Sequence, residues 1–166
     1  ITTYGKYLIF NYGEVSVISH LRMEGKYFVK PSDDEILKHE HVIIYFGDLS
    51  LRYHDTRKFG RMNLIKKSDL YNVESIKKQG LEPGDKNLTS AYLLDKFKNK
   101  KLPIKTVLLD QTIISGLGNI YVNEVLFYAK INPFKPANTL TKEECDLIVK
   151  GSNEIIKEAI QLGGTT

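Results

Sequence analysis

The sequence predicts an α+β protein, an antiparallel β half followed by an all-helical half. Three observations carry this. Up to residue 54 the chain alternates short runs of β-branched and aromatic residues with glycine-containing turns. From residue 89 onward apolar residues recur at helical spacing behind helix-capping residues. Between the two lies Gln79-Gly80-Leu81-Glu82-Pro83-Gly84, a cluster of turn formers. It sets the expected domains at 1–79 and 80–166.

The strand signals run in order through Tyr7-Leu8-Ile9-Phe10, Glu14 to His20, Tyr27-Phe28-Val29, His41 to Phe46 and Ser50 to His54. Tyr12-Gly13 and Gly47-Asp48 separate neighbouring runs as hairpin turns do. Several short strands with turn signals imply an antiparallel sheet or sandwich. In the second half, Thr89-Ser90 caps a helix carrying Leu93, Leu94 and Phe97. Pro103 suits the first turn of the next, with Ile104, Val107 and Leu108 inward. Asn119 is the expected N-cap of a third helix, which Asn132-Pro133 ends. Thr141-Lys142-Glu143-Glu144 reads as a capping box. It opens a long helix with Leu147, Ile148, Ile155, Ile156, Ala159 and Ile160 on one face.

Hydrophobic residues make up 42% of the 166, enough for a real core, and no stretch approaches a membrane span. Ile1 to Phe10 lacks the pattern of a secretory signal. The lone Cys145 can form neither an internal disulfide nor a cysteine zinc site, so a reducing, cytoplasmic location is expected. The net charge of +4 is mild, but its distribution is uneven. Lys96, Lys98, Lys100, Lys101 and Lys105 form one cluster, and Arg52, Arg57, Lys58, Arg61, Lys66 and Lys67 another. Such clusters suit a polyanion or a solvated face. Both ends look cut: the chain begins at Ile1 and stops at Gly163-Gly164-Thr165-Thr166.

Three segments could carry chemistry. Ser115-Gly116-Leu117-Gly118-Asn119-Ile120-Tyr121 is a glycine loop opening into a helix, whose free N–H groups form an anion seat. It also reads as an ordinary helix start. Asp55-Thr56-Arg57-Lys58-Phe59-Gly60 puts a guanidinium and a ring two residues apart at a loop tip. The arginine can bridge phosphates and an exposed ring can wedge into a base stack; a core Phe beside solvated cations is the alternative. His20 to Gly25 is a second loop, carrying a flexible Met23 that could equally fill core. His39 and His41 would share one face of a strand. Without a third ligand they read as a surface or phosphate-contacting pair rather than a metal site.

Taken together these residues carry a resemblance. Gly5-Lys6-Tyr7-Leu8, Ser19 to Gly25, Lys38-His39-Glu40-His41-Val42, Arg52 to Gly60, Gly80-Leu81-Glu82-Pro83, Gly116 to Tyr121 and Ile160 to Thr166 occur in that order. They resemble the Fpg/Nei family of bacterial formamidopyrimidine-DNA glycosylases across essentially the whole chain. The resemblance implies an N-terminal β-sandwich joined to a helix–two-turn–helix domain, with a zinc finger beyond. It implies base-excision repair of duplex DNA by a cytoplasmic monomer. Oxidised purines (8-oxoguanine, formamidopyrimidine) are removed, and the abasic site is cleaved by β,δ-elimination. Lys6 matches the family's catalytic proton donor. His39, Arg57, Lys100, Lys105, Gly118 and Asn119 match DNA-binding positions. Met23, Arg57 and Phe59 match the residues that fill the void left by an everted nucleotide, a role that offsets lost stacking.

The sequence also departs from the family. The N-terminal proline nucleophile, its following glutamate and the zinc finger are not among these residues. The expectation is therefore an internal piece of a longer enzyme, holding the DNA-binding part and inactive alone, with no metal of its own and zinc in the finger it lacks. A non-catalytic helix–two-turn–helix DNA-binding protein is the alternative, and a plain α+β domain with basic patches a third.

Overall fold

The computed structural model describes residues 1–164, so Thr165 and Thr166 of the last motif lie outside the described residues. The chain divides into two compact units, Ile1–Tyr71 and a second beginning at Asn72.

The first unit is two antiparallel sheets. One has the order β1-β2-β3-β7, from strands Thr2–Tyr4 (β1), Tyr7–Tyr12 (β2), Val15–His20 (β3) and Arg61–Lys66 (β7). The other has the order β4-β6-β5, from Lys26–Pro31 (β4), Glu40–Phe46 (β5) and Leu49–His54 (β6). The sheets face each other as a sandwich. Tyr27 of β4 packs its ring 5.1 Å from that of Phe10 on β2 and donates its hydroxyl to Ser19 Oγ on β3 at 2.8 Å. Tyr53 of β6 stacks on Tyr27 at 5.2 Å from the same side. Ile9 and Phe10 are neighbours on β2, yet both are buried, as are Ile18 and Ser19 on β3. Successive strand residues point to opposite faces, so the centre of this sheet is covered on both sides.

The sequence signals missed β1 and β7. β1 has three residues, and β7, Arg-Met-Asn-Leu-Ile-Lys, is an outer strand with cations at both ends, so composition hid its pairing to β3. Arg52 is a correction of another kind. The sequence places it in a basic cluster suited to a polyanion or a solvated face, but it is fully buried. β6 is the central strand of its sheet, and residues 32–39 cross over the face that Arg52 occupies.

The second unit holds five α-helices among the described residues: Glu74–Lys77 (α1), Ser90–Phe97 (α2), Ile104–Leu108 (α3), Asn119–Tyr128 (α4) and Lys142–Gln161 (α5). One core joins α2 to α5, with Leu93, Phe97, Ile104, Leu108, Leu117, Val122, Val125 and Ile148 at its centre. The Thr89 cap and the Thr141–Glu144 capping box form as the sequence predicts. Other expectations need revision. Pro103 is the N-cap of α3 rather than part of its first turn. Helix α4 ends at Tyr128, because Lys130 turns to φ 56°, before Asn132-Pro133 is reached. On α5 the buried seam is Cys145, Ile148, Gly151 and Ser152, while Leu147 and Ile160 are exposed. Gly151 sets that seam: a Cβ there would lie 2.8 Å from Cδ1 of Tyr128, so only glycine lets the two helices approach this closely. No helix among the described residues is long and apolar enough to cross a membrane.

Candidate nucleic-acid interface

In the first unit, three of the sequence-predicted residues meet at one cavity. Lys6, Met23 and Phe59 line about 570 Å³ of open space together with His20, Arg22 and Arg61. Lys6 rides the tight β1–β2 turn, next to Gly5 at φ 55°. Loss of solvent around its ammonium lowers its pKa from the usual lysine value. Met23 is 72% exposed and Phe59 51%, so neither fills core. The Arg57 guanidinium lies 4.6 Å from the centre of the exposed Phe59 ring, a cation–π pair.

Two residues hold the Arg57–Phe59 tip in place. Asp55 is buried, and its carboxylate accepts the Tyr53 hydroxyl at 2.9 Å and the N–H groups of Gly60 at 2.9 Å and Arg57 at 3.0 Å. These donors, the Gly60 N–H foremost, hold its carboxyl down at about 2. Gly60 leaves room for the Tyr53 ring: a Cβ there would sit 2.7 Å from Tyr53 Cζ.

The sequence did not single out His20, Arg22 and Arg61 as site residues. His20 stacks edge-on against Tyr7 at 4.9 Å, and its Nδ1 accepts the Arg22 N–H at 3.0 Å. Burial first, then the charges of Arg22, Lys6 and Arg61, lowers its pKa. The signal that could have found Arg61 is its place directly opposite His20 in the β3–β7 register, which needed the unrecognised β7.

His39 does not share a regular strand with His41. It precedes β5 at φ 74°, and the register shift between Glu40 and Val42 puts His41 in a bulge. The two rings lie 6.3 Å apart, and His39 stacks edge-on to His54 at 5.7 Å. Burial, and after it the neighbouring Lys38, His54, His41 and Lys58, lowers the His39 pKa. His41 Nε2 bonds the Asp55 carbonyl at 2.9 Å.

In the second unit the glycine loop is wired from beneath. The Gln111 carboxamide accepts the Gly116 N–H at 3.0 Å and donates to the Leu117 carbonyl at 2.8 Å and the Leu109 carbonyl at 3.0 Å. Gly116 sits at φ 91°. The N-cap of α4 is Gly118, with extended backbone, rather than Asn119, which is the exposed first residue of the helix. A glycine cap has no side-chain oxygen to occupy the first N–H groups of the helix, which leaves them available to an anion. Lys100 follows α2, with its ammonium 4.0 Å from Asp110, the residue before Gln111. Lys105 lies in α3, where its N–H donates to the Pro133 carbonyl at 3.2 Å. No group of three or more His, Cys, Asp or Glu among the described residues is placed to hold a metal ion.

Comparison with known proteins joins these two halves. Residues 1–62 match the formamidopyrimidine-DNA glycosylase N-terminal domain, and residues 79–166 match the formamidopyrimidine-DNA glycosylase H2TH domain. A formamidopyrimidine-DNA glycosylase of Ligilactobacillus salivarius is 49% identical over 98% of the chain, which covers 59% of that relative. One from Lactobacillus delbrueckii is 43% identical over 100% of the chain and 61% of its own length. The chain thus spans about three-fifths of the length of these relatives. Among solved structures, a Lactococcus lactis Fpg complexed with DNA containing an abasic site superposes with a TM-score of 0.93 at 41% identity, over 99% of this chain and 61% of that one. A Lactococcus lactis Fpg complexed with DNA containing FAPY-dG gives 0.94 at 42%, over 99% and 62%. With both domains matched in order and the identity this high over the full chain, the protein belongs to the formamidopyrimidine-DNA glycosylase family.

Proposed function

We propose that this chain is the DNA-gripping and lesion-probing part of a base-excision repair glycosylase and abasic-site lyase acting on oxidised purines in duplex DNA. One observation carries the reading. Lys6, Met23 and Phe59, from three separate segments of sequence, line a single cavity whose remaining walls are Arg22, Arg61 and His20. An exposed thioether and an exposed ring can occupy the space of an everted nucleotide. The surrounding cations suit its phosphates, and a lysine of lowered pKa can exchange a proton there more readily than an ordinary one.

In this reading Met23, Arg57 and Phe59 fill the void, and Lys6 is the proton donor in the elimination steps. His39 and Arg57 in the first unit, and Lys100, Lys105, Gly118 and Asn119 in the second, hold the backbone. Main-chain donors at the start of α4 grip phosphate without reading sequence. None of these residues is assigned the nucleophile. The described residues do not fit a zinc site, and nothing proposed for them passes through a metal. A monomer working in the bacterial cytoplasm completes the proposal; the single, buried Cys145 suits a reducing compartment.

The test is the affinity of the intact protein for a duplex carrying a tetrahydrofuran abasic analogue against the same duplex undamaged, over a range of salt. The proposal expects tighter binding to the lesion, and affinity for both duplexes falling linearly in log–log form with salt. Equal binding of both would make it a DNA-binding relative without lesion recognition. Salt-independent or absent binding would overturn the nucleic-acid reading.

A further inference from the structure

We propose that buried Arg52 is a positioning residue for DNA contact: it grips the strap that carries His39 and fixes where that imidazole is presented. The strap is residues 32–39, between β4 and β5, and none of its side chains is buried. Ile36 and Leu37 are more than half exposed. No apolar anchor therefore holds it, and its course depends on polar bonds to its backbone.

Arg52 supplies the two at its centre and brackets the strap with two more, while the Ser32 N–H donates to the Asp48 carbonyl at 2.9 Å. Its guanidinium donates to the main-chain carbonyls of Pro31 at 3.1 Å, Asp34 at 2.8 Å and Glu35 at 2.7 Å. A fourth bond, at 3.0 Å, goes to the Glu40 carboxylate just past His39. Glu40 in turn accepts Lys30 Nζ at 2.6 Å and the Leu37 N–H at 3.0 Å. One planar, permanently charged fork thus holds the middle of the strap and the residues that flank it, Pro31 and Glu40, a set that a lysine could not span. The His39 carbonyl, accepting the Asp55 N–H at 3.0 Å, and its ring, edge-on to His54 at 5.7 Å, tie the last residue of the strap to its neighbours. His39 itself is held at φ 74°, a conformation uncommon outside glycine.

The inference rests on the reading of His39 as a DNA contact. Its test is a double-mutant cycle on duplex affinity in the intact protein: wild type, H39A, R52M and R52M/H39A, each with a plain duplex and with the tetrahydrofuran duplex. H39A weakens binding roughly tenfold, the scale of one hydrogen bond to a charged group. R52M weakens it by a similar factor, and the double variant is no weaker than H39A, because Arg52 acts through His39. A merely structural Arg52 gives effects that multiply in the double variant, and that outcome overturns the proposal. H39A leaving affinity unchanged overturns it too, since Arg52 then has no contact to position. If thermal melting shows R52M to be unfolded, E40Q replaces it in the same cycle with the same two outcomes. Equal binding of the two duplexes by the wild type is a separate result: it sinks the glycosylase reading and leaves the cycle, run on either duplex, to decide Arg52.

Discussion

Gly60→Ala is the sharpest perturbation the first unit offers. The added methyl would lie 2.7 Å from Tyr53 Cζ and closer still to its hydroxyl. Tyr53 is 5% exposed and backed by the Tyr27 ring at 5.2 Å, so it has little room to retreat. Either the ring or the loop must shift. Overpacking of this kind costs about 1–3 kcal/mol. Separating the Tyr53 hydroxyl from its acceptor leaves a buried donor unpaired, a further cost of about 1–3 kcal/mol. The sum, about 2–6 kcal/mol, is comparable to the whole stability expected of a unit this small. At about 4–8 °C per kcal/mol, Tm should fall by roughly 10 °C or more. Circular dichroism melts of the intact protein read this directly, and lesion affinity should fall with it because Phe59 precedes the strained residue. A Tm within about 2 °C of wild type would refute the reasoning, since the Tyr53–Asp55–Gly60 contact would then not be as tight as described.

Three further outcomes are expected. Glu40 and Asp55 are both held at about 2, Glu40 chiefly by the Lys30 ammonium and Asp55 by the Gly60 N–H. Because these folded values lie below the unfolded ones, the stability they contribute is complete above about pH 4.5 and drains away as pH falls toward 2. Urea midpoints between pH 6 and 2.5 should trace that loss, with E40Q flattening its upper part; a loss already complete above pH 4.5 would contradict it. Asn119→Ala should weaken plain and abasic duplexes alike, by roughly tenfold in titration, and a loss confined to the lesion would remove its phosphate role. Phe59→Ala should leave plain-duplex affinity nearly intact and lower lesion affinity by a few kcal/mol at most, about the scale of one unstacked base; unchanged lesion affinity would mean that Phe59 does not enter the void.

Much of the fold was legible because it is local. The Thr89 and Thr141 caps, the β2–β3 turn at Tyr12-Gly13 and the β5–β6 hairpin at Gly47-Asp48 rest on residues a few positions apart. What stayed hidden depends on partners distant in sequence. Arg52 looks like any surface arginine until Pro31, Asp34 and Glu35 turn their carbonyls onto it. β7 carries a weak strand signal and is fixed by pairing with β3 more than forty positions away. The same holds at the site. The Arg57/Phe59 spacing was visible in six residues, whereas the convergence of Lys6, Met23 and Phe59 on one cavity follows only from the sheet order.

The Gln111 bridge beneath the glycine loop bears on how this surface tolerates change over generations. A seat made of main-chain N–H groups has no side chain whose loss would delete it. Substitution of the exposed Ile120 removes none of these main-chain donors. The residues that set its backbone path are few: Gly116 at φ 91°, the Gly118 cap and the carboxamide that ties Gly116 to Leu117. The side-chain contacts proposed for His39, Lys100 and Lys105 are each one codon from loss. Under the proposed function, side-chain substitutions around the loop retune affinity for DNA while the main-chain donors of the seat stay in place.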